Sequence, residues 1–266
     1  MNNPCFSILT VTLNPELGDL KNTIDSIVNQ DFSNWELIIK DGGSINDFSE
    51  IVPNDQRIKV ISANDNSVYD AMNQAIREAS GDYICLLNSG DYFFNNTILS
   101  KISATQAKTK NIDFIFGDVS KPQSRTGFEY YPSKLSKYFL YSNMICHQSW
   151  FVRRKYYQSS QGYDTRFRFN SDYSFLLKMV LEDKINYFHI PEVLVTYKGG
   201  GISQGLESKM ELKKSSWNEF VIKKHFTPLE RKVFAFFFFL RNCVKILFYD
   251  HFFSKIWIIY LKVKRK

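Results

Sequence analysis

Tyr83-Ile84-Cys85-Leu86-Leu87-Asn88-Ser89-Gly90-Asp91 is the stretch that decides the fold. Its unbroken apolar half is too short for a helix and reads as a strand buried on both faces, the kind found in parallel sheets covered by helices. The polar half that follows turns at Gly90 and presents the Asp91 carboxylate at the sheet's rim. In open α/β sheets ligands bind just beyond the carboxyl ends of the strands, which makes Asp91 the first candidate site residue.

Upstream, Ala71, Met72, Ala75, Ile76 and Ala79 line one helical face, with Gly81 in the position expected of a C-terminal cap. Before that helix the pattern gives a strand at 6–11, helical spacing at Leu20, Ile24, Ile27 and Val28, a strand at 35–39 stopped by Asp41-Gly42-Gly43-Ser44, and a strand at 57–61. Strands alternating with helices predict a mixed, mostly parallel central sheet flanked by helices, an α/β fold. Asp41 lies past its strand as Asp91 does, and the two glycines after it let a ligand approach the backbone. Asp70 begins the helix, so capping competes there with ligand contact.

Downstream, the pattern predicts strands at 112–119 and 149–152, a helix at 172–181 and a strand at 186–190 ended by Pro191. Gly199-Gly200-Gly201 predicts a sharply turned or mobile loop. Thr227-Pro228 is a helix start, with Thr as cap and Pro in the first turn.

The chain has 266 residues and a formal charge of +7, spread unevenly. Residues 209–266 hold 14 Lys and Arg against 4 Asp and Glu, net +10, leaving net −3 for residues 1–208. A basic nucleic-acid groove in the main domain is therefore disfavoured, and a tail that touches an anionic surface is favoured. The apolar run 233–240 is far short of the ~20 residues a spanning helix needs. Arg241, Lys245, Lys255 and Lys262 then interrupt apolar and aromatic clusters, a composition suited to a helix lying in a membrane interface, with packing on the protein's own core as the alternative. Cys5, Cys85, Cys146 and Cys243 show no paired spacing and read as reduced thiols, and with no signal-peptide pattern at the N-terminus the catalytic part is expected in the cytoplasm.

Residues 6–14, 24–30 (Ile-Asp-Ser-Ile-Val-Asn-Gln) and 41–44 (Asp-Gly-Gly-Ser) resemble the opening of family 2 glycosyltransferases, which have the GT-A fold. Tyr69-Asp70-Ala71-Met72-Asn73-Gln74-Ala75-Ile76, Gly81-Asp82-Tyr83 and Leu87-Asn88-Ser89-Gly90-Asp91 are similar to the branch found in colanic acid, O-antigen and capsule gene clusters. The similarity runs on through His147-Gln148-Ser149 and Asn170-Ser171-Asp172-Tyr173. It implies a GT-A catalytic domain at 1–205, with a nucleotide-binding half to about 119 and an acceptor-binding half from about 120. A basic, aromatic helical extension occupies 206–266.

The resemblance also implies roles. Thr10, Asn14 and Asp41 would line the nucleotide pocket, Asp70 would face the ribose or donor sugar, and Asn88 and Gly90 would lie against the donor. Asp91 would hold a divalent cation, Mn²⁺ or Mg²⁺, that bridges the donor phosphates. Asp172 would be the general base on the acceptor hydroxyl. His147 would touch the diphosphate, the metal or the acceptor, with a hydrogen-bonded structural histidine as the alternative, and Gly200 and Ser203 belong to a loop that would close over the donor. The implied reaction is inverting, metal-dependent transfer of one sugar from a nucleotide-diphosphate sugar, UDP-linked, to a lipid-linked or oligosaccharide acceptor at the inner face of the plasma membrane. Two departures bear on this. Asn88-Ser89-Gly90-Asp91 stands where many members carry D-x-D, which leaves one carboxylate, and the Q-x-x-R-W motif of processive synthases is absent from the sequence. A non-catalytic nucleotide-sugar-binding member and a sugar nucleotidyltransferase remain alternative readings. The second lacks its Gly-rich phosphate loop, since Thr12-Leu13-Asn14-Pro15-Glu16 follows the first strand.

Overall fold

A computed structural model describes residues 5–109, 111–199 and 216–248. Its first half follows the predicted alternation: β1 (Phe6–Thr12), α1 (Leu17–Val28), β2 (Trp35–Asp41), β3 (Ile58–Ser62), α2 (Val68–Glu78) and β4 (Tyr83–Leu86). These four strands pair in parallel in the order β3-β2-β1-β4. Every residue of β1 and β4 is buried, which is why both read as continuous apolar runs. Chain order reverses at β1, with β2 on one side and β4 on the other, so a crevice opens beyond the ends of β1 and β4.

The remaining elements are β5 (Tyr92–Phe93), α3 (Ile98–Lys108), β6 (Phe114–Lys121), β7 (Gly127–Glu129), α4 (Lys137–Ser142), β8 (Trp150–Arg153), α5 (Arg154–Ser160), α6 (Ser171–Leu177), β9 (Tyr187–Thr196), α7 (Ser216–His225) and α8 (Pro228–Phe248). They extend the sheet as β8-β6-β9-β5, with β7 beside β6. Strand β8 is antiparallel to both β4 and β6, whereas β6 and β9 are parallel. Cys5, Cys85 and Cys146 are free thiols.

Three expectations are corrected. Gly81 does not cap α2 in a left-handed conformation. The helix closes at Ala79, and Gly81 lies where β1 passes so closely that a Cβ would sit 2.7 Å from the Ser7 nitrogen. Pro191 does not end its strand: the β6–β9 register jumps from Gly117↔Ile190 to Asp118↔Val193, so the irregularity absorbs the residue that cannot donate. The helix begun at Ser171 gives way to a π-helical turn at Lys178–Glu182.

At the C-terminal end Thr227 caps α8 as expected, and Glu230 completes a capping box. The Glu230 N–H donates to Thr227 Oγ1 at 3.2 Å, and the Thr227 N–H donates to Glu230 Oε2 at 2.9 Å. The first half of α8 packs on α4, with Phe234 against Tyr138 and Tyr141 at ring separations of 5.7 and 5.5 Å. Among the described residues no helix is long and apolar enough to cross a membrane.

Candidate active site

A cleft of about 550 Å³ opens at the reversal point, lined by Val11–Leu13 from β1 and its loop, Asn88, Ser89 and Asp91 after β4, and Asp172 at the start of α6. Asp91 reaches the rim through a tight turn. Gly90 sits at φ +95°, a conformation glycine adopts without a Cβ penalty, and its N–H is held by Thr23 Oγ1 of α1 at 2.9 Å. The Asp91 carboxylate accepts from the Lys198 N–H at 3.0 Å and from Gln148 Nε2 at 2.9 Å. Burial nevertheless dominates and pushes its carboxyl up to about 6, the two donors offsetting only part of the effect.

Asp172 is held differently. His147 Nδ1 lies 2.9 Å from its Oδ2, while the Tyr69 hydroxyl and the Tyr173 N–H donate to Oδ1 at 3.0 and 2.9 Å. Burial works to raise this carboxyl, but the hydrogen bond and charge of His147, with the Tyr69 and Tyr173 donors, outweigh it and hold the group below the usual carboxylate range. One turn thus serves both acids. His147–Ser149 forms a short 3₁₀ segment in which His147 engages Asp172 and the next residue, Gln148, engages Asp91.

The other sequence-derived candidates occupy supporting positions. Thr10 is fully buried and does not line the cleft: its hydroxyl donates to the Leu87 carbonyl at 2.8 Å, tying β1 to the end of β4, and Thr12 and Leu13 line the cleft in its stead. Asn14, at φ +47°, joins the loops after β1 and β2, its Oδ1 accepting from the Ile45 N–H and its N–H donating to Ser44 Oγ. Asp41 turns its carboxylate onto the Ser44 N–H and hydroxyl and faces a second hollow beside β2 and β3. Asp70 lies in the first turn of α2, whose cap is Ser67: its N–H donates to Ser67 Oγ at 3.2 Å, its Oδ2 accepts from the Asn66 N–H, and it is not among the residues lining the cleft. Its neighbour Tyr69 lines the cleft instead, about 100° away round the helix. Asn88 lines the cleft, whereas Gly90 is buried and is not among its lining residues; Gly200 and Ser203 lie outside the described residues.

Sequence reasoning missed Gln148, Tyr69 and Lys121. Lys121 ends β6, ion-pairs with Glu129 across the β6–β7 hairpin and lies 5.4 Å from the centre of the Tyr197 ring, on the wall of the same cleft. Residues this far apart in sequence give no local signal of their convergence.

The donor set at Asp91 suits a divalent ion only in company. Among the described residues no group of three or more acidic, His or Cys side chains gathers there. Mg²⁺ and Mn²⁺ take one or two carboxylates and complete their shells with water and substrate phosphates, so a single carboxylate with lone pairs to spare fits such an ion when a diphosphate is present.

The family model described as Glycosyl transferase family 2 matches residues 7–160. The PGL/p-HBAD biosynthesis glycosyltransferase of Mycobacterium bovis is 29% identical over 222 residues, covering 80% of this chain and 85% of the relative. The putative colanic acid biosynthesis glycosyl transferase WcaA of Escherichia coli K12 is 33% identical over 198 residues, 68% of each chain. Among solved structures, S. aureus TarS 1–349 in complex with UDP-GlcNAc superposes with a TM-score of 0.63 at 16% identity, over 80% of this chain and 66% of that one. The mannosyltransferase PcManGT from Pyrobaculum calidifontis, in complex with GDP-Man and Mn²⁺, gives 0.56 at 14%, over 74% and 57%. The family match takes in β1 through β8 and the turn that joins the two acids, and on that span the chain belongs to glycosyl transferase family 2, a glycosyltransferase of the GT-A fold.

Proposed function

We propose that the protein moves one sugar from a nucleotide-diphosphate sugar, UDP-linked, to a glycan acceptor carried on a lipid diphosphate, with inversion, in the building of a bacterial surface polysaccharide. The observation that carries this reading is the pair Asp91 and Asp172 on one cleft, held by consecutive residues of one turn. Asp91 is the donor-side group and Asn88 lies beside the donor, while Asn14, Asp41, Asp70, Thr10 and Gly90 shape the loops around it. The base function on the acceptor side centres on Asp172. UDP as carrier is supported by the fold shared with TarS, whose structure holds UDP-GlcNAc.

Asp91 would hold the divalent ion. When bound, such an ion neutralises the charge that develops on a departing diphosphate, a contribution of several kcal/mol. This chain's own residues do the rest. The cleft holds donor and acceptor together, and in-line attack by the acceptor hydroxyl inverts the anomeric carbon. The basic, Phe-rich extension is the part that meets the cytoplasmic face of the membrane, where lipid-linked acceptors reside.

The test is turnover. Purified protein is offered UDP-glucose, UDP-galactose, UDP-N-acetylglucosamine and GDP-mannose with a lipid-diphosphate-linked sugar and Mn²⁺ or Mg²⁺. The expected result is one product with an inverted anomeric centre. Asp91→Ala should weaken metal-dependent donor binding at least tenfold. Donor binding without transfer across the panel would overturn the assignment.

A further inference from the structure

Resting on that reading, we infer that Lys121 is a catalytic residue on the donor side: its ammonium meets the β-phosphate of the nucleoside diphosphate and stabilises the charge that gathers there as the sugar leaves.

The sheet places it. Strand β6 is antiparallel to β8, and β8 is antiparallel to β4, so β4 and β6 run the same way and finish at the same edge. Strand β9, parallel to β6, finishes there too. Asp91 follows β4 and Lys121 is the last residue of β6, on strands two spacings apart, roughly 10 Å. Every other residue of β6 is buried, whereas Lys121 is half-buried and lines the cleft.

The backbone then fixes the two residues to one another. The carbonyl of Ser120, next to Lys121, accepts from the Tyr197 N–H at 2.8 Å, and the following N–H, that of Lys198, donates to Asp91 Oδ1 at 3.0 Å. One dipeptide at the end of β9 therefore ties both positions, and its Tyr197 ring lies 5.4 Å from the Lys121 ammonium. The Cys146 thiol, on the same cleft, feels both charges: burial raises it, Lys121 lowers it and Asp91 raises it again. Glu129, the diagonal neighbour of Lys121 across the β6–β7 pair, forms an ion pair with the ammonium. A hairpin pair of this kind contributes little to stability. On the wall of the cleft it keeps a cation aimed, and an entering phosphate oxygen can take over one of the three N–H donors.

The chemistry calls for such a cation. Asn88 stands in the place of a carboxylate, so Asp91 alone anchors the ion, and the diphosphate keeps charge for a second positive group. A preorganised ammonium aimed at developing phosphate charge acts without having to reorganise at the moment of reaction. The step takes no proton from Lys121. The acceptor oxygen bonds to the anomeric carbon and loses its proton on the Asp172 side. The bond from that carbon to the β-phosphate oxygen breaks, its electron pair stays on that oxygen, and Lys121 Nζ–H donates a hydrogen bond to the phosphate as the charge arrives.

Neutralising the pair from both ends tests this. The probes are binding of UDP and of UMP, measured by calorimetry in EDTA so that no divalent ion contributes, and release of UDP from the donor that the wild type turns over. GDP and GMP replace them if the panel selects GDP-mannose. Lys121→Gln should weaken UDP binding about tenfold, as loss of a charge-assisted hydrogen bond does, leave UMP within about threefold, and lower kcat on the order of 10²-fold. Adding Glu129→Gln to that variant should change nothing further. A return to wild-type UDP affinity and kcat in the double variant would trace the loss to repulsion by an unpaired Glu129 and overturn the inference. Glu129→Gln alone should tighten UDP about threefold and leave UMP as it was. Lys121→Gln with UDP affinity and kcat both near wild type would reject the role of Lys121 while the proposed function stands, and a rise in the acceptor's KM alone would move the lysine to the acceptor side and reject it too. If the wild type turns over no donor, the proposed function falls, whereas a preference for UDP over UMP that disappears in Lys121→Gln still assigns the lysine to the diphosphate. Should Lys121→Gln lose UMP binding as well, Glu129→Gln decides: tighter UDP supports the role, and unchanged UDP affinity rejects it.

Discussion

At the scale of single residues, the two acids show how environment divides labour between identical groups. Asp91 and Asp172 are both buried, at 5% and 8% exposure, yet one carboxyl is pushed up to about 6 and the other is held low. The difference lies in the donors: Asp172 gains the imidazole and a phenol, whereas Asp91 has one amide side chain and one backbone N–H. A carboxyl raised in the folded state favours its protonated form there, so its contribution to stability is present below the ordinary carboxylate value and lost as pH rises through about 6. At pH 8 the unliganded protein therefore carries a buried charge that costs on the order of 2–3 kcal/mol, since each tenfold change in proton affinity corresponds to about 1.4 kcal/mol. Asp91→Asn should raise Tm at pH 8 while abolishing metal-dependent donor binding, and the gain should shrink as pH falls through about 6 and vanish only near pH 3, below the ordinary carboxylate value. Thermal unfolding at pH 8 and near pH 3 checks it, and an equal gain at both would show that the charge is not the cause.

At the scale of elements, what is legible in the sequence is whatever buries two faces or repeats with a helical period. Strands β1, β2 and β4 and helix α2 belong to that class, and so does Asp91, which follows from its place after β4. Helix α3 escapes such a reading because only Ile98, Leu99 and Ile102 of its residues are buried, too few to mark a face, and β5 is two residues long. The acceptor-side wall is illegible for a different reason: it is positioned by pairings between distant segments. Asn73 of α2 is the main one. Its Nδ2 donates to the Tyr163 carbonyl at 2.8 Å and its Oδ1 accepts the Tyr163 N–H at 2.7 Å, fixing the segment that leads into α6 and Asp172. Gly162 allows this approach at φ +83°, since a Cβ there would lie 2.2 Å from Asn73 Oδ1. Asn73→Ala strands two buried backbone groups at ~1–3 kcal/mol each. The expected outcome is a Tm lower by about 5–10 °C and a fall in kcat, with nucleotide affinity unchanged because the Asp91 side is not touched. A variant that keeps its kcat would show that Asp172 does not depend on this brace.

At the scale of the whole molecule, the C-terminal helix is anchored at its start and exposes apolar side chains along its described middle. Helix α8 spans 21 residues, roughly 31 Å at 1.5 Å per residue. Phe226 and Phe234 tie its start to Tyr141 of α4 at 5.4 and 5.5 Å. On another face of the helix, Val233, Phe236, Phe237 and Leu240 recur at helical spacing and are 39%, 58%, 52% and 40% exposed. An apolar stripe of this kind on a segment with net charge +10 over residues 209–266 combines the two attractions that hold a helix at an anionic interface, burial of apolar side chains and neutralisation of lipid headgroups. Phe237 also leans on Tyr138, so Phe236→Ser with Leu240→Ser removes half of the stripe and spares the packing on α4. Losing two apolar side chains worth ~1.5–3 kcal/mol each on burial should weaken cosedimentation with phosphatidylglycerol vesicles at least tenfold, without changing turnover of a water-soluble acceptor. Raising salt from 0.1 to 0.5 M should weaken wild-type binding further, because screening shortens the reach of the basic residues. If the stripe instead joins two copies of the chain, the same double variant turns a dimer into a monomer in light scattering and leaves vesicle binding as it was, and the membrane role of α8 falls.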